Sequence, residues 1–362
     1  MSIRKRAFAV GGSLTLAAAL AVPASPATAV EVCDLSIATI VSTGGQDVIG
    51  TNGDDVVVYK NEVSTRVWLG AGNDKICIQG RAAPSFIEGN AGNDQIFFNI
   101  PAKYTAPVSS TLYLDSNDNS GTGNDTVRAA STNQDNVALT LSVYPGNGDN
   151  IVILPKGENF VWAGTGNDTI QGGAGKDILL DAGGKNWIKG GAGNDQINIG
   201  STSAFTNQVW GEDGNDIITG GEGADTILGG AGNDRIRGNG GNDTIDGGDG
   251  YDELLGGAGN DSILGGAKSD CIDGENGNDT IDAGADADYE TASCTNSAGV
   301  KIRGVHGGSG NDIVRGGAGG DTLFGDAGAD QLFGDDGNDI IYFDPSDTVV
   351  NGGAGANDLR PV

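Results

Sequence analysis

The chain has 362 residues, 65 of them glycine, with one His, one Met and 6% aromatics. Glycine usually makes up about 7% of a protein. This stock cannot fill the core of a large compact globule, though it suits an elongated fold with a thin core. Asp and Glu number 49 against 20 Lys and Arg, a formal charge of −29, which argues against nucleic acid as a partner because phosphates would be repelled and points to cations.

Residues 1–29 read as an export leader. Arg4, Lys5 and Arg6 form a basic start, Ala7 to Val22 an uncharged apolar stretch, and Ala27-Thr28-Ala29 a small-x-small cleavage site. Cleavage after Ala29 removes those three basic residues and takes the formal charge from −29 to −32. The apolar stretch is short and glycine-interrupted for a spanning helix, which needs about 20 residues. The mature chain is therefore expected to be secreted, with no membrane span. Its cysteines are Cys33, Cys77, Cys271 and Cys294. An even count in an exported chain suggests two disulfides. Three connectivities are open, and proximity favours Cys33–Cys77 and Cys271–Cys294. No Cys-x-x-Cys occurs, and a single His cannot complete a zinc site of the usual kind.

Residues 30–160 carry spaced fragments: LGAGNDKIC (69–77), EGNAGNDQIF (88–97), SGTGNDTVR (120–128) and PGNGDNIV (145–152). Val, Ile, Tyr and Phe lie between them. This region reads as a diverged β-solenoid half, with a separate β-sandwich as the runner-up.

Residues 161–282 make the pattern explicit. The unit is G-G-x-G-x-D-x-U-x, with U aliphatic, and it recurs without a break from Gly211 to Asp282. Its sixth positions are Asp216, Asp225, Asp234, Asp243, Asp252, Asp261, Asp270 and Asp279. Its eighth positions are Ile218, Ile227, Ile236, Ile245, Leu254, Ile263, Ile272 and Ile281. An earlier block places Asp168, Asp177 and Asp195 at position six, with Asn186 in one unit; Asp74, Asp94 and Asp125 hold that position in the N-terminal fragments, and Asn150 in the last of them. STSAFTNQV (201–209) reads as an insertion, and so does 283–306. Residues 307–362 form a C-terminal block with Asp312, Asp321, Asp330 and Asp339 at position six.

Three glycines in four residues allow positive φ and close backbone approach, hence a tight turn. The D-x-U-x tail is a short strand with period two, so position eight points inwards and positions seven and nine outwards. One strand cannot bury its aliphatic residue alone, whereas a stack of them can. Two turns and two strands make a coil of 18 residues in this repeat, and successive coils lay parallel strands on two sheets. The turns then stack and bring their carboxylates close together. Unneutralised carboxylates repel; a site of 6–8 hard oxygen ligands suits Ca2+ better than the strictly octahedral Mg2+.

The unit resembles the nonapeptide of the RTX, or haemolysin-type, calcium-binding family. The resemblance covers about Ala163 to Asp282 and Gly307 to Asp358. It implies a parallel β-roll with Ca2+ held between successive turns by the position-six Asp and by turn carbonyls. Asn150, Asn186 and Lys268 (the last where the third Gly belongs) depart from the pattern, and their sites are expected to be weak or empty, with the turn at Lys268 distorted.

Other chemistry is missing from the sequence. It holds no H-E-x-x-H and no G-x-S-x-G. His306 reads as a loop residue, DSNDNSG (115–121) lacks the Gly and Glu of an EF-hand loop, and Asp344-Pro345 reads as a strand-ending turn. The expectation is a non-enzymatic, secreted calcium-binding roll with a structural or adhesive role and with cell-surface or matrix polymers as partners. The alternative is a polysaccharide-acting secreted enzyme with an unfamiliar site in the N-terminal half.

Overall fold

The structure, a computed structural model, describes residues 39–362 apart from 44, 61–62, 64, 80–81, 100–107, 116–122, 130–138, 155, 201–204 and 289–292. The leader 1–29, Cys33 with its expected bond to Cys77, and most of DSNDNSG lie outside the described residues.

Among the described residues there is no helix, and the strands form two parallel sheets of 16 strands each. Consecutive strands alternate between the sheets. Thr226–Ala231 lies in one, Arg235–Gly240 in the other, and Thr244–Asp249 in the first again. One full coil therefore holds two repeat units. The register follows from it: Ile227 lies beside Ile245 and Ile245 beside Ile263, while Ile236 lies beside Leu254 and Leu254 beside Ile272.

The diverged N-terminal region continues the same stack. Strands from Ile40–Ser42 to Ile151–Ile153 belong to the same two sheets, and Val127, Val152 and Ile170 align across the join. A separate β-sandwich is excluded. The core lies between the sheets and is mainly aliphatic; N-terminal strands give it two side chains each, such as Val57 with Tyr59 and Ile96 with Phe98, and the regular repeats give one. The position-eight residues from Ile218 to Ile281 are at most 2% exposed, while Arg235 at position seven is exposed. Alternation in the strand produces this division, and the narrowness of the core explains why one aliphatic residue per unit suffices.

The ladder spacing runs 19, 20, 31 and 25 up to Asn150; beyond it, two excursions lengthen an 18-residue period. At 201–209 the structure corrects the expected insertion. Gln208–Asp213 is a regular strand paired on both sides, and Asp195 and Asp216 are 21 residues apart where the rungs on either side are 18 apart. The larger excursion leaves the roll after Asp288 and returns at Gly304, whose carbonyl accepts from the Ile272 N–H. Between them, Ser293–Thr295 and Lys301–Arg303 pair as an antiparallel hairpin. A Cys271–Cys294 disulfide ties the hairpin to the roll. Leu255, Cys271, Cys294 and Ile302 form a small second core there, so Cys271 faces away from the main core yet is buried.

Three local readings meet the structure differently. His306 is not in a loop. It lies on the strand Val305–Ser309, stacks on Phe324 at 4.2 Å and places Nδ1 2.8 Å from Asp326 Oδ2. Lys268 does not distort its turn: it takes φ 76°, and the hydrogen bonds through Asp270 persist on both sides. Pro345 and Ser346 form a turn after the strand Ile340–Phe343, as expected.

Candidate metal centre

Position six forms two hydrogen-bonded ladders, one along each turn stack. In each, a backbone N–H of one coil donates to the side-chain Oδ1 of the next at 2.6–3.1 Å. One ladder runs from Asp55 through Asp74, Asp94, Asp125, Asn150, Asp168, Asn186, Asn207, Asp225, Asp243, Asp261, Asp279, Asp312 and Asp330 to Asp347. The other runs from Asn159 through Asp177, Asp195, Asp216, Asp234, Asp252, Asp270, Asp288, Asp321 and Asp339 to Asn357. All the aspartates expected from the sequence lie on these ladders. Asp55, Asn159, Asn207, Asp288, Asp347 and Asn357 are rungs that sequence reasoning missed: at the first five the glycines around them are degraded or the spacing departs from 18, and at Asn357, whose glycines are intact, an amide stands in place of the carboxylate.

The second carboxylate oxygen decides the chemistry. Every expected aspartate except Asp225 has a buried Oδ2 with no hydrogen-bond partner, and so does Asp288. Asp225 differs because the Gly221 N–H donates to its Oδ2 at 2.8 Å. The surroundings of these oxygens are acceptors too. A methyl group placed on Gly238 would lie 2.2 Å from Asp243 Oδ2 and 2.4 Å from the Gly256 carbonyl of the next coil; at Gly274 the same two distances, to Asp279 Oδ2 and Gly307 O, are both 2.4 Å. Glycine at position one thus leaves open a cradle in which a carboxylate faces a carbonyl.

The asparagine rungs show what that cradle attracts. Asn150 Nδ2 donates to the Gly146 and Gly148 carbonyls at 3.1 and 3.0 Å. Asn159 Nδ2 donates to Gly157 and, one coil on, to Gly172, both at 3.2 Å. Asn207 Nδ2 donates to the Phe205 carbonyl. Where the side chain offers a partly positive N–H, it turns to the turn carbonyls; where it offers Oδ2, acceptor meets acceptor. A buried unpaired acceptor costs about 1–3 kcal/mol, more when charged. Asp Oδ2 and turn carbonyls are hard oxygen donors of the kind that hold Ca2+, so the residues present fit the ion. Among the described residues no three His, Cys, Asp or Glu side chains converge, so carbonyls must carry much of the donor set.

Burial pushes these carboxyls upward, opposed by the backbone N–H bond of the ladder. Asp216 and Asp279 rise to about 7, and Asp125, Asp177, Asp243 and Asp270 to about 8. Asp288 reaches about 9. Without a cation, the rungs raised to about 8 or 9 keep their protons at neutral pH.

A second, outer ladder was also missed. Position-five asparagines run with the opposite polarity: the Asn233 N–H donates back to Asn215 Oδ1 at 2.6 Å, and Asn278 and Asn311 continue the run from Asn260. The recurring Asn before Asp was its visible signal.

A profile of the RTX calcium-binding nonapeptide repeat matches residues 78–99, 156–180, 177–202, 201–236, 219–254, 255–290 and 306–341, more than half of the chain. The chain belongs to the RTX calcium-binding repeat family. Ca2+ is accordingly the ion of these RTX turns, bound at many of them. No curated protein matches the chain. Among solved structures, a hyperactive, Ca2+-dependent, β-helical antifreeze protein from an Antarctic bacterium is similar at 19% identity and TM-score 0.37, over 86% of this chain and 85% of that one.

Proposed function

We propose that this RTX chain is an exported, non-enzymatic scaffold whose position-six aspartates hold Ca2+ and whose folding the ion completes. The observation that carries this reading is the contrast between rungs: the amides of Asn150 and Asn159 satisfy turn carbonyls, while Asp Oδ2 atoms in the same register are buried and unpaired. The aspartates named from the sequence, from Asp74 to Asp339, are the ligands, joined by Asp288, with Asp225 set apart because both its oxygens already accept backbone N–H bonds. The leader and the acidic charge support export as a loosely folded chain that closes on meeting extracellular Ca2+. Binding to the folded state alone adds RT ln(1+[L]/Kd) per site, so many weak sites sum.

The outward faces support a structural or adhesive role. One face carries an unbroken aromatic row of Trp68, Phe86, Tyr113, Tyr144 and Phe160, with ring centroids 4.5–6.4 Å apart and the half-exposed Trp162 beside it. Such a row suits the apolar faces of sugar rings in an envelope or matrix polymer.

The test is far-UV circular dichroism of the mature chain during a Ca2+ titration from chelator, with Mg2+ as control. A coil-to-β transition with Ca2+ alone is expected. A β spectrum unchanged by chelator at pH 8 overturns the reading.

A further inference from the structure

Asn186 breaks the pattern that the aspartate ladder otherwise keeps, and the same unit breaks it a second time. Position one, glycine in most units, is Asp181 there. The two departures meet in space. Asn186 Nδ2 donates to Asp181 Oδ1 at 2.7 Å, and the Gly183 N–H donates to the same oxygen at 2.8 Å. Both donors thus fall on Oδ1. Asp181 Oδ2 is left with no partner, in a side chain only 4% exposed.

That free oxygen belongs to the preceding rung. The Asp181 and Asp168 carboxyls lie within hydrogen-bonding reach of each other, and Asp168 Oδ2 is likewise buried and unpaired, at 1% exposure. Two ionised carboxyls facing each other out of water repel strongly unless a proton or a cation lies between them. A carboxylate with a purely structural task would use both oxygens on donors, as Asp225 does when Oδ1 takes the Asn207 N–H and Oδ2 that of Gly221. Asn186 meanwhile keeps the ladder intact, since its Oδ1 still accepts from the Asp168 N–H at 2.8 Å.

The surrounding rungs give this pair its purpose. From Asn150 to Asn207 the ladder reads Asn, Asp, Asn, Asn, its poorest stretch in negative charge. We propose that Asp181 is a relocated calcium ligand: with Asp168 it forms a two-carboxylate Ca2+ site beside Asn186, restoring from position one the charge that position six has lost. This rests on the calcium reading above and departs from the repeat's own ligand pattern. It also replaces the expectation that the Asn186 unit is weak or empty.

The experiment is anomalous diffraction from crystals of the full chain grown in Ca2+, on the wild type, Asp181→Asn and the double variant Asp181→Gly/Asn186→Asp, with calcium per chain counted by equilibrium dialysis. In the wild type an ion is expected about 2.3–2.6 Å from both Asp168 Oδ2 and Asp181 Oδ2. Asp181→Asn preserves shape and removes charge. It is expected to lose that peak, and one ion per chain, at a Ca2+ concentration that keeps the Asp243 and Asp261 rungs filled. The double variant returns the carboxylate to position six and is expected to regain the ion. Filled rungs elsewhere with no ion touching Asp181, or an Asp181→Asn chain that keeps its ion at the same Ca2+ concentration, overturns the inference and leaves the calcium reading standing. Ions at no rung overturn both.

Discussion

At the level of single residues, the position-six side chain has two separable tasks. Oδ1 receives the N–H of the coil before, and Oδ2 faces the cradle. Asp243→Asn keeps the first and replaces the second with an amide that donates to carbonyls. The variant is expected to bind one Ca2+ fewer per chain, yet to be more stable than wild type in chelator by about 1–3 kcal/mol, since a buried unpaired oxygen is removed. Urea unfolding with and without Ca2+ checks both signs, and a loss of stability in chelator would count against the cradle. Asp243→Ala removes both tasks and is expected to destabilise under either condition. The aspartates and the inward aliphatics were legible because glycine spacing and period two mark them directly. Asp181 was not legible, because its role depends on which oxygen is left unpaired and on a neighbour in the adjacent coil. Asn159 and Asn207 were hidden for a related reason: a position-six amide provides its own donor and can stand beside Pro155, Lys156 or Phe205 without the glycine signature.

At the level of elements, the hairpin between Asp288 and Gly304 is an attachment, not a break. The Asp288 N–H donates to Asp321 Oδ1 across it, so the ladder does not depend on the excursion. The disulfide closes a loop with a sequence separation of 23, for which loop entropy gives about 3 kcal/mol. Reduction is expected to expose Leu255 and Ile302 and to open residues 289–303 to protease, while the β spectrum of Ca2+-loaded protein stays unchanged. Mass mapping of the cleavage sites reads this; cuts spread through the roll would contradict it. The insertion was visible as a gap in the repeat, but its narrower true extent was not, since the strand Thr280–Ala285 and the rung at Asp288 follow the pattern without its glycine pair. The aromatic row is the other element with a consequence. Trp162→Ala is expected to weaken sedimentation with insoluble envelope polysaccharide several-fold at unchanged circular dichroism.

At the level of the whole roll, the proposed sites set proton and calcium in competition for the same oxygens. The ladder carboxyls have folded values raised above the ordinary 3.8, for example to about 6 at Asp234, about 7 at Asp216 and about 8 at Asp243. A raised value means that the folded state binds its protons more tightly. Their contribution to stability is thus complete below about 3.8 and is lost as pH rises through 6 to 8. In chelator the chain is expected to hold β structure near pH 4–5 and to lose it towards pH 8, where Ca2+ restores it; Ca2+ binding at pH 7 should release protons. Circular dichroism against pH, with and without chelator, reads the sign. A chelated chain that folds at pH 8 and unfolds on acidification would refute it.

Both ladders finish on rungs that need no ion. At the N-terminal end of one, the Thr51 N–H donates to Asp55 Oδ2 at 2.6 Å and the Thr51 hydroxyl does so at 3.0 Å. At its other end the Asp344 N–H donates to Asp347 Oδ2. The second ladder closes on Asn357, whose amide donates to its own Gly352 carbonyl at 2.6 Å. A cradle takes half its oxygens from the following coil, so a terminal carboxylate would hold a half-built site open to the next molecule. With these oxygens quenched internally, the proposed calcium sites weld coils to one another within the described roll, and the terminal rungs themselves offer a neighbouring molecule no half-built site.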